Sequence, residues 1–401
     1  MCRFYKHFLV LRKVPGNSRN LATYNCPMQN KMLGHLSRSQ FLRDYWQKRP
    51  LCVRGALPQL AGLMDERRIR ALAADADVES RLVEKRRGAW HLTPGPIAPG
   101  RLRRAGPINW SLLVNGANLH DRAADELLRR FDFVPQARLD DVMASLAAPG
   151  GGVGPHYDSY DVFLLQAVGR RVWRLCRPRR YTVLANSPLR LIEDFVAEDE
   201  YLVEPGDLLY LPPGWGHDGV ALEPSLAYSV GFRAPDAGEL ASALLDRLHE
   251  HRLPQRRYRD PLRGPSRNSA RIPDAMLEFA LDALARLRWS SREVAQVLGE
   301  HLTMPKQQVV FKAPVRRLTL ENFRQRLLRS EVVLDPKTQL LYFGASFFIN
   351  GDRCVPRERQ RKTLARFADR RRLAGTILAA AALTPLLHEW HGVGYLHLER
   401  A

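Results

Sequence analysis

His156 and Asp158 stand two residues apart, and His217 follows the apolar run Leu208-Leu209-Tyr210-Leu211 and the turn Pro212-Pro213-Gly214. Imidazole and carboxylate groups hold divalent metals at neutral pH. On a β-strand, residues i and i+2 leave the same face, so His156 and Asp158 can aim at one point. A second imidazole from another strand would complete two nitrogens and one oxygen on one side of an ion. That set leaves positions open, as Fe(II) needs when it must take a co-substrate and O₂ together. The H-x-D pair alone is common by chance. Here it ends Gly150-Gly151-Gly152-Val153-Gly154-Pro155, a turn that lets backbone come close to a site. Zinc accepts the same donors, so a hydrolytic reaction stays open; it would need a general base, and Asp218 and Glu223 are the nearest carboxylates.

An Fe(II) site working with a 2-oxo acid needs a cation for the far carboxylate of that acid, and arginine offers the best geometry. In Gly169-Arg170-Arg171-Val172-Trp173-Arg174-Leu175, strand parity selects Arg171, which shares its face with Trp173 and Leu175. Ser145, at the end of the preceding strand, can offer a hydroxyl to the same carboxylate.

The elements that must position these residues are short strands. Between residues 145 and 233 the expected runs are Val162–Gln166, Arg171–Cys176, Thr182–Leu184, Glu200–Glu204, Leu208–Leu211, Asp218–Ala221 and Ser225–Phe232. No helical pattern interrupts them, which predicts a sandwich or barrel. Upstream, Ser37 caps a helix reaching Trp46, a second helix covers Asp65 to Asp75 and a third Ala123 to Phe131. Strands are expected at Leu51–Arg54, Glu79–Val83, Ala89–Leu92 and Asn109–Asn115, and a loop over Pro94–Pro107. After Pro235 the pattern turns helical: Ala237–His251, Asp274–Arg288 and Ser290–Leu302, with an arginine- and proline-rich linker over Leu253–Pro273. Such a segment needs a partner surface, and a homodimer is expected. From Arg317 the order is helix (Thr319–Leu328), strands (Val332–Leu334, Gln339–Phe343), helices (Arg359–Phe367, Leu373–Leu387), strand (Gly394–His397). That order predicts a small winged-helix-like α/β domain.

A chain of 401 residues suggests two or three domains. The expected division is a leader over 1–35, a catalytic domain over 36–235, a helical dimerisation segment over 236–302 and a winged-helix-like domain over 303–401. The first 35 residues carry basic groups such as Arg3, Lys6 and Arg12 and no acidic one. They read as a transit-type leader, a disordered basic tail, or a start placed upstream of Met32. The five cysteines are scattered, which points to a reducing, cytoplasmic compartment. No apolar run is long enough to span a membrane. A net charge of +20 suits contact with nucleic acid, including ribosomal RNA, but equally reflects an arginine-rich composition.

Taken together, these motifs resemble the bacterial JmjC-type ribosomal oxygenases. The resemblance is carried by Asn109 to Val114, Pro149 to Asp158, Tyr160 to Phe163, Gly169 to Arg174, Glu204 to Asp207, Pro212-Pro213-Gly214 with His217, and Tyr228 to Pro235. It implies a mainly β double-stranded β-helix (cupin/JmjC) core with flanking helices. It implies Fe(II) at His156, Asp158 and His217, and 2-oxoglutarate on Arg171 and Ser145. It further implies hydroxylation at Cβ of an arginine in a large-subunit ribosomal protein. A basic enzyme would not attract a basic peptide by its overall field, so either local acidic groups such as Asp161 and Asp218 line the entrance or assembly on RNA matters; Tyr157 and Asp161 are expected in the arginine pocket. The alternatives are an oxygenase acting on another basic protein or an RNA, and a non-catalytic barrel that binds nucleic acid.

Overall fold

In a computed structural model of the chain, residues 31–185, 187–251, 256–260 and 270–400 are described. Runs rich in β-branched and aromatic residues, bounded by glycine and proline, form two facing antiparallel sheets. The larger has eight strands in the spatial order Leu51–Val53, Leu208–Leu211, Val162–Val168, Ser225–Phe232, Leu139–Ala147, Trp110–Val114, Ser80–Arg86 and Ala89–Pro94. The smaller has four, in the order His156–Tyr157, Gly216–Ala221, Arg171–Cys176 and Asp199–Val203. From His156 onward the chain passes back and forth between the sheets, the winding of a double-stranded β-helix.

Parity sorts the two faces of the larger sheet. Leu112, Val114, Val142, Ala144, Phe163, Leu165, Tyr210, Tyr228, Val230 and Phe232 point away from the smaller sheet into the main core. That core is closed by Phe41, Ile69, Leu72, Leu127 and Leu128 from three helices, Arg38–Asp44, Glu66–Ala73 and Arg122–Arg129. Each helix starts on a side-chain cap: Ser37 accepts from the Gln40 amide at 3.2 Å, Asp65 from Arg68 at 2.7 Å and Asp121 from Ala123 at 3.0 Å. Phe163 is the hub, with ring centroids 4.8 Å from Phe131 and Tyr210 and 5.6 Å from Phe41 and Phe232.

The C-terminal part has its own core, built on Phe323, Val332, Phe347, Leu364, Phe367, Leu387 and Trp390. Helices Leu320–Leu327 and Glu358–Arg370 pack with a sheet in the order Arg372–Ala374, Ser330–Leu334, Leu396–Arg400, and a second sheet runs Leu340–Phe343, Ser346–Ile349, Asp352–Cys354. Between the two cores lie helices Ala237–His251, Asp274–Ala285 and Ser291–Thr303.

Several expectations are corrected. Met32 and Leu33 are buried in the main core, so the fold begins before residue 36; residues 1–30 lie outside the described residues, as does most of the linker expected over 253–273. The strand expected at Thr182–Leu184 is only a single bridge, Val183 to Ile192. The Pro94–Pro107 loop contains a short helix, Pro99–Arg103, begun by a proline whose missing N–H costs nothing at a helix start. The helix expected over Leu373–Leu387 is three elements: strand Arg372–Ala374 and helices Gly375–Ala380 and Thr384–Gly392. A Cβ on Gly375 would lie 1.9 Å from the Leu327 carbonyl oxygen, and Ala382 turns left-handed at φ 57°. Pro385 then opens the next helix.

Because Phe163 is fully buried and packs on Phe41, Phe131, Tyr210 and Phe232, Phe163→Ala is expected to lower stability by about 3–5 kcal/mol in urea denaturation.

Candidate active site

The same parity that builds the core builds a cavity on the other face. Each strand contributes alternate residues to it: Ser111 and Leu113; Asp141, Met143 and Ser145; Val162 and Leu164; Arg171 and Trp173; His217 and Gly219; Ala227, Ser229 and Gly231. Its volume is ≈ 370 Å³.

On the smaller sheet, His156 and His217 are cross-strand partners. Their ring centroids are 4.2 Å apart, and Asp158 Oδ2 is 3.7 Å from His217 Nε2. One donor atom from each of His156, Asp158 and His217 lies within 4.8 Å of the others. Each imidazole donates its Nδ1–H to the carbonyl two residues earlier, His156 to Gly154 and His217 to Trp215, both at 2.9 Å. Nε2 is thereby left as the lone-pair nitrogen on both rings. Burial, with His156 alongside, pushes His217 down to about 4, so the ring is neutral, the form that binds metal. Tyr160 lines the same cavity, its hydroxyl raised by burial and by the nearby Asp158 carboxylate.

The glycine turn earns its composition through close approach. A Cβ on Gly151 would lie 2.1 Å from the Trp110 carbonyl oxygen, and one on Gly152 would lie 2.5 Å from that of Gly219. The turn is pressed between the two sheets, which fixes where His156 begins.

Deeper in the cavity, Arg171 is 5% exposed. Its Nε donates to Ser225 Oγ at 2.8 Å, Nη1 to Ser145 Oγ at 3.1 Å and Nη2 to the Ser145 carbonyl at 2.7 Å. Burial lowers it to about 10, so it stays cationic at neutral pH. No carboxylate pairs with it among the described residues. Arg170, of opposite parity, pairs on the surface with Glu223, Nε to Oε1 3.1 Å.

The acidic entrance is not where the sequence reading put it. Asp161 is 0% exposed and belongs to the core side: it accepts from Tyr210 Oη at 2.6 Å, Gln47 Nε2 at 3.1 Å and Arg138 Nη2 at 3.2 Å. It shares parity with Phe163 and Leu165, not with Val162 and Leu164. Tyr157 also points away, stacking on Tyr181 with ring centroids 5.0 Å apart. Asp218 shares parity with Val220 rather than His217 and, like Glu223, does not line the cavity, so neither serves as the base a zinc hydrolase would need. Besides the triad's Asp158, the carboxylates that line it are Glu79, Asp140 and Asp141. Asp141 is half-buried, its carboxyl raised by desolvation and by neighbouring Asp140, and accepts from the Gly116 amide at 2.9 Å. The alternation Asp141-Met143-Ser145 was the signal that could have found it. No sequence signal marked Met304, Lys306, Gln308, Lys337 and Gln339, which bring the C-terminal part to the cavity mouth. Lys306 Nζ lies 2.8 Å from Asp140 Oδ1, and Gln308 Nε2 donates to Glu79 Oε2 at 3.1 Å.

A two-His, one-Asp triad inside a double-stranded β-helix, with a buried unpaired arginine beyond it, defines a JmjC-type metal-dependent oxygenase. Residues 126–240 match the JmjC domain family, and residues 286–397 match the ROXA-like winged helix. The chain is 32% identical over 320 residues to the ribosomal protein uL16 3-hydroxylase of Escherichia coli, covering 79% of this chain and 85% of that protein. It is 28% identical over 227 residues to ribosomal oxygenase 1 of Homo sapiens, covering 52% of this chain and 33% of that protein. The X-ray structure of E. coli ycfD superposes with a TM-score of 0.81 at 30% identity, covering 91% of this chain and 99% of that one. The complex of YcfD with cobalt and 2-oxoglutarate gives 0.78 at 30% identity, covering 91% and 99%. The chain belongs to the JmjC ribosomal oxygenase family.

Two substitutions separate site from scaffold. Asp158→Ala is expected to abolish cobalt(II) binding, read by visible absorption, with the fold retained. Asp161→Asn should bind cobalt(II) normally while losing about 3 kcal/mol of stability, because it breaks a buried charged contact.

Proposed function

We propose that this chain is an Fe(II)- and 2-oxoglutarate-dependent oxygenase that hydroxylates Cβ of an arginine in a large-subunit ribosomal protein, in the cytoplasm. One observation carries the reading: a three-donor metal triad and a buried cation that pairs with no carboxylate among the described residues share one cavity, whose outer wall holds Glu79, Asp140 and Asp141 among basic side chains.

His156 Nε2, His217 Nε2 and the Asp158 carboxylate would hold the metal. The donor set fits: two imidazole nitrogens and one carboxylate, with both Nδ1 atoms already committed to backbone. When bound, Fe(II) couples oxidative decarboxylation of 2-oxoglutarate by O₂ to insertion of one oxygen atom into a C–H bond, releasing succinate and CO₂. Arg171 and Ser145 anchor the far carboxylate of 2-oxoglutarate; a cation already desolvated and preorganised by three hydrogen bonds binds an oxyanion without rearranging. Leu113, Met143, Val162, Leu164 and Trp173 keep the space between triad and arginine apolar and exclude water. Asp141, on the cavity wall, meets the substrate guanidinium. The similarity to the ribosomal protein uL16 3-hydroxylase of E. coli supports hydroxylation at Cβ.

Helix Asp274–Ala285 buries none of its residues and exposes Met276, Leu277, Leu281 and Leu284, which supports a homodimer closing on this segment. The net charge of +20 supports contact with ribosomal RNA around the substrate.

Incubation of the purified ribosomal protein with the enzyme, Fe(II), 2-oxoglutarate and O₂ is expected to add the mass of one oxygen, located on an arginine by fragmentation; an unmodified protein alongside active succinate release on another target refutes the substrate. Arg171→Met is expected to raise the KM for 2-oxoglutarate by at least about ten-fold, and Asp141→Asn the KM for the peptide by about ten-fold, each with cobalt(II) binding intact.

A further inference from the structure

Ser111 lies on the Trp110–Val114 strand and is 1% exposed. Its hydroxyl lines the cavity but has no hydrogen-bond partner, a costly condition for a buried donor. The register locates it. Leu113 pairs with Ser145, and Ser111 pairs with Ala147, which pairs in turn with Ser225. Ser111 is thus the diagonal neighbour of Ser145, about 7–8 Å away between Cα atoms. It sits in the same cross-strand row as Ser225, two strands over. Ser145 and Ser225 are the two hydroxyls that accept from Arg171. An unpaired donor therefore stands beside an unpaired cation, in one buried chamber, and one oxyanion would satisfy both.

We propose that Ser111 is a co-substrate-binding residue: its hydroxyl donates a hydrogen bond to the carboxylate of the 2-oxo acid that Arg171 and Ser145 hold. The inference rests on the oxygenase reading above and adds a donor from a strand outside those that carry the metal ligands. Its neighbours on the cavity wall, Leu113 and Met143, cannot compete for that carboxylate. Among the described residues nothing bonds to the hydroxyl, so the fold there does not rely on it.

Ser111→Ala in the full chain tests this. With the hydroxyl unpaired in the protein alone, the metal-free variant is expected to melt at the same temperature as the parent or higher. Its dissociation constant for 2-oxoglutarate, measured by calorimetry with Mn(II) in place of Fe(II), should rise about ten-fold. The KM for 2-oxoglutarate should rise in parallel, with kcat at saturation and the peptide KM unchanged. A 2-oxoglutarate affinity within two-fold of the parent overturns the proposal, and a lowered Tm with that unchanged affinity assigns the hydroxyl to the fold instead. If the parent binds 2-oxoglutarate but modifies no ribosomal protein, the substrate assignment fails while the calorimetry still decides the role of Ser111. If the parent does not bind 2-oxoglutarate at all, both fall.

Discussion

The pairing of His156 with His217 across two antiparallel strands is the constraint on which the rest of the molecule depends. Directly opposed residues on an antiparallel pair project to the same side at close range. Two imidazoles placed that way converge without any loop having to aim them. Asp158 joins them because its strand partner two residues earlier is already fixed. The backbone carbonyls of Gly154 and Trp215 then take the remaining ring N–H groups, so orientation and tautomer are set by main chain alone. The glycine turn is the consequence: it has to fit between Trp110 and Gly219, and side chains there would push the His156 strand off its partner.

The second feature is a stored cost. A guanidinium buried without a carboxylate is unfavourable unless its donors are met by neutral acceptors, and Ser145 and Ser225 supply them. Had a protein carboxylate been placed there, the site would be more stable and unable to recognise an anion. Asp161 shows the contrasting solution in the same barrel. It is fully buried, yet Tyr210, Gln47 and Arg138 satisfy it, so it holds the helix cap region to the sheet and has nothing left to offer a substrate.

The cavity mouth joins parts far apart in sequence. Glu79 and Asp140 come from the barrel, Lys306 and Gln308 from the segment after the helices, and Lys337 and Gln339 from the C-terminal domain. Lys306 and Gln308 bridge directly to those two carboxylates. On a chain of net charge +20, three carboxylates, Glu79, Asp140 and Asp141, stand together on this concave surface, among the basic side chains Arg81, Arg233, Lys306 and Lys337.

Much of this was legible in the residues because strand parity is a local rule. The period of two placed Arg171 inward and Arg170 outward, and the H-x-D spacing put two donors on one face. The cap at Ser37 marked a helix start, and the helices expected from Asp65 and Ser290 do begin on side-chain caps at those residues. The same rule, applied to Asp161 and Asp218, would have sent them away from the cavity, since they alternate with Val162 and His217. What parity cannot supply is which strands become neighbours. That His217 opposes His156, that Ser111 falls beside Ser145, and that Lys306 reaches Asp140 depend on register and on packing between distant segments. A near-isoenergetic set of pairings exists for any short strand, and only burial of the whole barrel, with its glycine turn wedged between sheets, selects one. The split of the expected 373–387 helix has the same origin: the contact of Gly375 with Leu327 is tertiary, and no local signal records it.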